Sequence, residues 1–302
     1  MMNLRVKRKT FRALFLAIFV GFLVAVGTAA FSQGAKNFLW KIQSNTATVY
    51  LLGSIHFMKA EAYPLNRAIE HAYDSSDFLV VEANVNDLGK LNLTTFMDKA
   101  LYQGEDRLQE HLSPETYRLI EKESVAFGLP VEMIEKQKPW FLALSLQAME
   151  LMKSGYDPTY GIDSYFLSKA AGKKNILELE SLDEQIDLLA GFSDREQELF
   201  LRYTLENLRS AATQAEAMTR AWASGDAPGM ESILYKSLAE DATLSPVYEK
   251  LINYRNAKMS SKIESYLASR QTYFVIVGAA HLVGKGGIVE NLKAKGYRAD
   301  QL

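Results

Sequence analysis

From residue 37 onward the chain alternates between short apolar runs of strand type and longer stretches with helical spacing. Residues 38–42 and 46–52 read as two strands of a hairpin around the polar turn 43–45. The apolar runs 78–83 and 175–180 read as buried strands, with Glu82 and Glu180 at their carboxyl ends. Residues 272–277 form a fifth strand and 297–302 a sixth. Helices are predicted over 65–73 behind Pro64, from the Ser113-Pro114 cap, over 141–153 behind Pro139-Trp140, and over 162–171. Two Ser-x-x-Glu capping boxes, Ser181 with Glu184 and Ser193 with Glu196, open two more. The apolar positions Leu201, Leu205, Leu208, Ala212, Ala215, Met218 and Trp222 step by three or four, so the second of these is expected to run unbroken to Gly225. Helical patterning resumes over 230–269, with interruptions at Ser245-Pro246 and at Arg255-Asn256. A last helix over 288–295 is stopped by Gly296.

Strands at both ends and helices between them predict an α/β (α+β) fold. Its mixed β-sheet core comes from the N- and C-terminal parts, around a large helical insertion. Residues 37–302 are expected to form one domain. The start is different. Arg5, Lys7, Arg8, Lys9 and Arg12 precede an uncharged apolar run over 13–30 that ends in small residues. That order is the grammar of a signal peptide; the alternative is an uncleaved membrane anchor, because the run is almost long enough to span a bilayer. Without those five cations, 29 basic residues face 36 acidic ones, a net charge near -7. The expected location is periplasmic or exported, with no stable membrane association once the segment is removed.

Composition then narrows the chemistry. There are 302 residues, 48% of them hydrophobic, and no Cys. Disulfides, thiolate metal sites and thiol nucleophiles are excluded. The slightly acidic balance gives no argument for nucleic acid as a partner. Only four His are present. Two of them, His56 and His281, share one local frame: an apolar strand, then Gly-x-x-His. At the carboxyl ends of parallel strands both would reach the edge where α/β sheets bind ligands. Glu82 would stand at the same edge, where a buried carboxylate needs a counter-charge. Two neutral imidazoles and a carboxylate suit a divalent metal that activates water. Glu180 is a further ligand or a general base, and Arg255 a candidate oxyanion donor. His71 and His111 read as surface residues. Tyr160-Gly161-Ile162-Asp163 reads as a turn into a helix, with Asp163 favouring the helix N-terminus and readable as a simple cap. The loop Gly284-Lys285-Gly286-Gly287 suggests an anion cradle but lacks the P-loop pattern.

The order Gly-Ser-Ile-His, Val-Val-Glu, Tyr-Gly-Ile-Asp, Leu-Glu-Ser, Arg-Asn and Gly-Ala-Ala-His-Leu-Val-Gly resembles the TraB/GumN/PrgY family, which includes the animal Tiki proteases. Ser181 stands where that pattern has Thr. The resemblance extends over residues 37 to 302. It implies an α/β core with a helical insertion and a metal-dependent, peptidase-like site, with Mn or Co as the metal in the Tiki branch. Carried over, the motif histidines are His56 and His281 and the acidic partner is Glu82. Arg255 and Glu180 also match family positions.

The expected function is therefore a metal-dependent hydrolase of the metalloprotease type acting on a peptide or protein. His56, Glu82 and His281 would hold Mn, Co or Zn, with Glu82, Glu180 and Arg255 in catalysis. Two alternatives remain open: a non-catalytic peptide- or haem/iron-binding module, and a metal-independent ester or amide hydrolase built on His and Glu.

Overall fold

The computed structural model describes residues 36–87 and 91–302. The N-terminal segment read as a signal or anchor lies outside them. Among the described residues, no helix is long and apolar enough to cross a membrane.

Six strands form one mixed sheet: β1 (Leu39–Gln43), β2 (Thr48–Ser54), β3 (Phe78–Val81), β4 (Asn175–Glu178), β5 (Thr272–Gly278) and β6 (Arg298–Gln301), in the order β4-β3-β5-β2-β1-β6. The predicted hairpin is the antiparallel pair β1–β2, and β6 adds antiparallel to β1. The other pairings, β2–β5, β5–β3 and β3–β4, are parallel, so four carboxyl ends share one edge. β5 arrives late in the chain yet lies between β2 and β3. Its residues Phe274–Val277 are fully buried, as expected of a central parallel strand. The mixed sheet built from both ends of the chain is as the sequence predicts.

The helices are α1 (Arg67–Asp74), α2 (Leu93–Ala100), α3 (Pro114–Phe127), α4 (Pro139–Lys153), α5 (Ile162–Ala170), α6 (Leu182–Ala190), α7 (Asp194–Asn207), α8 (Ala211–Ala223) and α9 (Ala227–Glu240). After the short helical segment Ser245–Tyr248 come α10 (Tyr254–Leu267), α11 (Ala279–Leu282) and α12 (Ile288–Ala294). Both capping boxes form at Ser181 and Ser193. The expected continuous helix from Ser193 is instead two helices, α7 and α8, because the chain tightens into a 3-10 turn at Leu208–Ser210. An apolar stripe at three- and four-residue steps continues across such a turn, so periodicity alone does not reveal the break.

Two large apolar cores result among the described residues, besides a small cluster around Phe57, Leu151, Tyr156 and Ala215. One lies along the sheet and takes in Met218 and Trp222 of α8 and Met259 and Ile263 of α10. The other lies within the insertion, around Phe96, Trp140, Leu142, Leu201 and Leu205.

Candidate functional site

The shared edge of the four parallel strands gathers the candidate residues. Ser54 pairs with Gly278 in the β2–β5 register, and Val81 pairs with both Ile276 and Glu178. His56 leaves β2 two residues after Ser54. Glu82 follows the last residue of β3. Glu180 lies beyond β4, where its backbone N–H still donates to the Glu82 carbonyl at 2.8 Å. Both carboxylates were expected within their strands and instead stand just past them. His281 lies in the single turn α11, whose N-cap is Gly278.

His56, Glu82 and His281 meet around Gly278. A Cβ placed on that glycine would sit 3.3 Å from Glu82 Oε1, 3.5 Å from His281 Cδ2 and 3.7 Å from His56 Nε2. Residues 225 positions apart in the chain thus border one small space, and only a glycine leaves it open.

Each histidine ring is tied by its other nitrogen. His56 Nδ1 bonds Asp163 Oδ2 at 2.6 Å, and Ser54 Oγ donates to the same oxygen. Asp163 is therefore not a simple helix cap. It is buried, and α5 takes Gly161 as its N-cap, with no side-chain capping bond. The loop after β2 reaches this helix because Gly161 has no side chain: a Cβ there would fall 2.3 Å from the His56 carbonyl oxygen. The Ile162 N–H also donates to the Ile55 carbonyl at 3.1 Å.

His281 Nδ1 bonds Asn256 Oδ1 at 2.6 Å, and Asn256 Nδ2 donates to the Gly286 carbonyl at 2.9 Å. A carbonyl only accepts, so the amide must turn its oxygen to the ring. His281 therefore carries its proton on Nδ1 and presents a lone pair at Nε2. Arg255 Nη1, which only donates, meets that Nε2 at 2.9 Å and fixes the same tautomer. The glycine-rich loop thus supplies a carbonyl to Asn256, and Asn291 Nδ2 donates to the same oxygen at 3.1 Å.

Arg255 is the hub of the cluster. Its Nε and Nη2 grip Glu180 at 2.8–3.1 Å, Nη2 donates to Glu82 Oε2 at 2.7 Å, and Nη1 also donates to the Leu251 carbonyl at 3.1 Å. All five N–H groups face acceptors. The predicted interruption at Arg255-Asn256 is displaced: both residues are helical in α10, and the irregularity is the π-helical turn Glu249–Asn253 just before it. Glu180 presents both oxygens to the guanidinium, and Gln185 Nε2 donates to one of them at 3.3 Å.

Electrostatics separates the two histidines. Burial pulls the His281 pKa down. Glu82 pulls it back, Arg255 and His56 oppose, and the ring ends at about 3, so it is neutral. Burial would lower His56 as well, but the charge and hydrogen bond of Asp163, with Glu82 behind, raise it. Burial would raise Glu82. The positive neighbours outweigh this, first His281 whenever it is protonated, then Arg255 and His56, with the Gly278 N–H, and bring the carboxyl down to about 2. Three buried carboxylates, Glu82, Glu180 and Asp163, stand against one buried guanidinium. The His56 and Asp163 side chains are each 11% exposed, against 5% and 2% for Glu82 and His281, and His56 Nε2 itself is buried.

Among the described residues, no group of three or more His, Asp or Glu side chains could hold a metal ion as it stands. The Arg255 guanidinium holds His281 Nε2 and Glu82 Oε2. The donor chemistry nevertheless fits a divalent cation. Glu82 Oε1, the Cδ2 edge of the His281 ring and His56 Nε2 border one space, and the His281 Nε2 lone pair, next to that edge, is held by Arg255. Both rings are anchored through Nδ1 in the manner of metal-ligating histidines.

His71 is exposed on α1, as expected. His111 is half-buried, stacked on Tyr102 at 4.2 Å and bonded to Asp106, away from the site. Asn256 and Ser54 were within the quoted motifs but had no role assigned to them.

The TraB/PrgY/gumN family model matches residues 38–301. YbaP of Escherichia coli (strain K12), described as an uncharacterized protein, is 27% identical over 245 residues, covering 81% of this chain and 87% of its own length. YbaP of Shigella flexneri matches to the same extent. An uncharacterized protein of Treponema pallidum (strain Nichols) is 20% identical over 275 residues, covering 86% of this chain and 81% of its own. No solved structure matches.

Proposed function

Because the chain belongs to the TraB/PrgY/gumN family, we propose that it is a metal-dependent hydrolase that cleaves a peptide bond, with its centre at His56, Glu82 and His281. The observation that carries this reading is the convergence of the three side chains on the space at Gly278. His56 Nε2, His281 Nε2 and the Glu82 carboxylate would hold the cation, with Mn, Co and Zn all compatible with these ligands. A bound divalent ion would supply Lewis acidity and lower the pKa of a coordinated water.

The protein's own groups have distinct roles in this reading. Asp163 and Asn256 orient the rings. Glu82 stays ionised across the neutral range. Glu180 anchors Arg255 beside the reacting centre. The substrate is a peptide or protein, and the basic-apolar-small order of the N-terminus supports an exported location. The test is cleavage of a peptide library by the purified protein with added Mn, and again after exhaustive chelation. Cleavage that requires the metal is expected; the absence of any metal-stimulated turnover would refute the reading.

One observation favours a second reading. His56, oriented by Asp163 and raised in basicity, has the arrangement of a general base. It would then deprotonate water without a metal, giving an ester or amide hydrolase. Full activity after chelation, lost in Asp163→Ala, would select this alternative.

A further inference from the structure

Arg255 is hydrogen-bonded to two of the three proposed ligand residues, His281 at Nε2 and Glu82 at Oε2. We infer that Arg255 is a built-in placeholder for the cation, displaced from His281 and Glu82 when the ion binds and retained beside the site by Glu180. The inference rests on the metal-dependent reading of the cluster and goes beyond it by giving the guanidinium two posts.

The contacts support the division. The Glu180 grip uses Nε and one N–H of Nη2, and the Leu251 carbonyl uses one N–H of Nη1. These bonds involve no candidate ligand. The remaining N–H of Nη1 goes to His281 Nε2, and that of Nη2 goes to Glu82 Oε2. Only this second set touches the proposed ligand residues. While no cation is bound, it neutralises a buried carboxylate that would otherwise be costly.

Giving up the second set leaves the arginine held at three N–H groups and frees two others, one on each terminal nitrogen. Those two lie next to His281 and Glu82, where an oxyanion developing on a substrate carbonyl would need donors. Ion binding and the exposure of oxyanion donors are then one event. Glu180 is a positioning residue here: its bidentate hold keeps the guanidinium in place when the other partners leave.

The sign of a mutational effect tests this. Removing a residue that supports a metal through its ligands costs about 10–100-fold in affinity. Removing a placeholder does the reverse. Arg255→Met should bind Zn²⁺ at least about tenfold more tightly than wild type by calorimetry, while its metal-free form loses thermal stability and regains it with Zn²⁺. Arg255→Lys, which keeps the charge but not the fork, should lie between the two and covers the case in which Arg255→Met does not fold.

Simple charge repulsion would also tighten binding, so a direct readout is added. In ¹⁵N-labelled wild-type protein, Zn²⁺ should shift the Nη resonances of Arg255 and leave Nε, held by Glu180, in place. Weaker binding in both variants, or Nη resonances unmoved in a wild type that binds Zn²⁺, would overturn the placeholder role and leave the metal reading intact. No Zn²⁺ binding by wild type or variants would overturn both.

Discussion

At the scale of single residues, one sequence frame gives two different imidazoles. Both follow Gly-x-x, yet His281 is buried beside a guanidinium and His56 sits against a carboxylate. The pH dependence of stability follows from that contrast in the metal-free protein. The folded pKa of His281, about 3, is below its unfolded value of 6.5, so its contribution is present above pH 6.5 and is lost as pH falls toward 3. Glu82 acts with the same sign, losing its contribution as pH falls from 4.5 toward 2. His56 is raised, so its contribution is present below 6.5 and is lost as pH rises through its folded pKa. Denaturant midpoints should therefore rise from pH 4 to pH 6, and His281→Gln should flatten that rise. An unchanged slope in the variant would contradict the neutral ring. Gly278→Ala is the companion test of geometry. The glycine's backbone has ordinary dihedrals (φ -51°, ψ 138°), and the added methyl meets Glu82, His281 and His56 at 3.3–3.7 Å. The variant should fold, with circular dichroism like that of wild type, and lose most of the metal-dependent cleavage proposed for the protein.

At the scale of elements, the site depends on loops docking onto helix starts. α5 meets the loop after β2 at Gly161 with no room for a side chain. Gly161→Ala must push the two backbones apart and pull Asp163 from His56. A stability loss of about 1–3 kcal/mol is expected by denaturant titration, from the overpacking, together with reduced activity. Activity equal to wild type would mean that this docking does not set the His56–Asp163 pair. The strands were legible in the sequence because short apolar runs bounded by turn residues declare themselves locally, and His56, Glu82 and His281 were legible because they end such runs. The roles of Asp163 and Asn256 were not. Each depends on a partner brought up by tertiary packing: His56 lies 107 residues from Asp163, and His281 lies 25 from Asn256. The break between α7 and α8 was hidden for a related reason, since one apolar stripe serves both helices.

At the scale of the whole molecule, topology makes the site. β5 enters between β2 and β3, which aligns the carboxyl ends of strands that begin more than two hundred residues apart. α10 then delivers Arg255 and Asn256 from the C-terminal side, packed on the sheet core through Met259 and Ile263. The order of the strands in the sheet is set by these long-range pairings, so no local pattern carried it. The insertion has its own apolar core, distinct from the one along the sheet. The centre therefore exists only when both ends of the chain are folded against each other. The most direct measurement is a Co²⁺ titration of the purified protein, read by visible absorption, for wild type, His56→Ala and His281→Ala. The account predicts saturable binding in wild type and a loss of about 100-fold or more in affinity in each variant, since each removes a ligand. Binding that survives unchanged in both variants would contradict it.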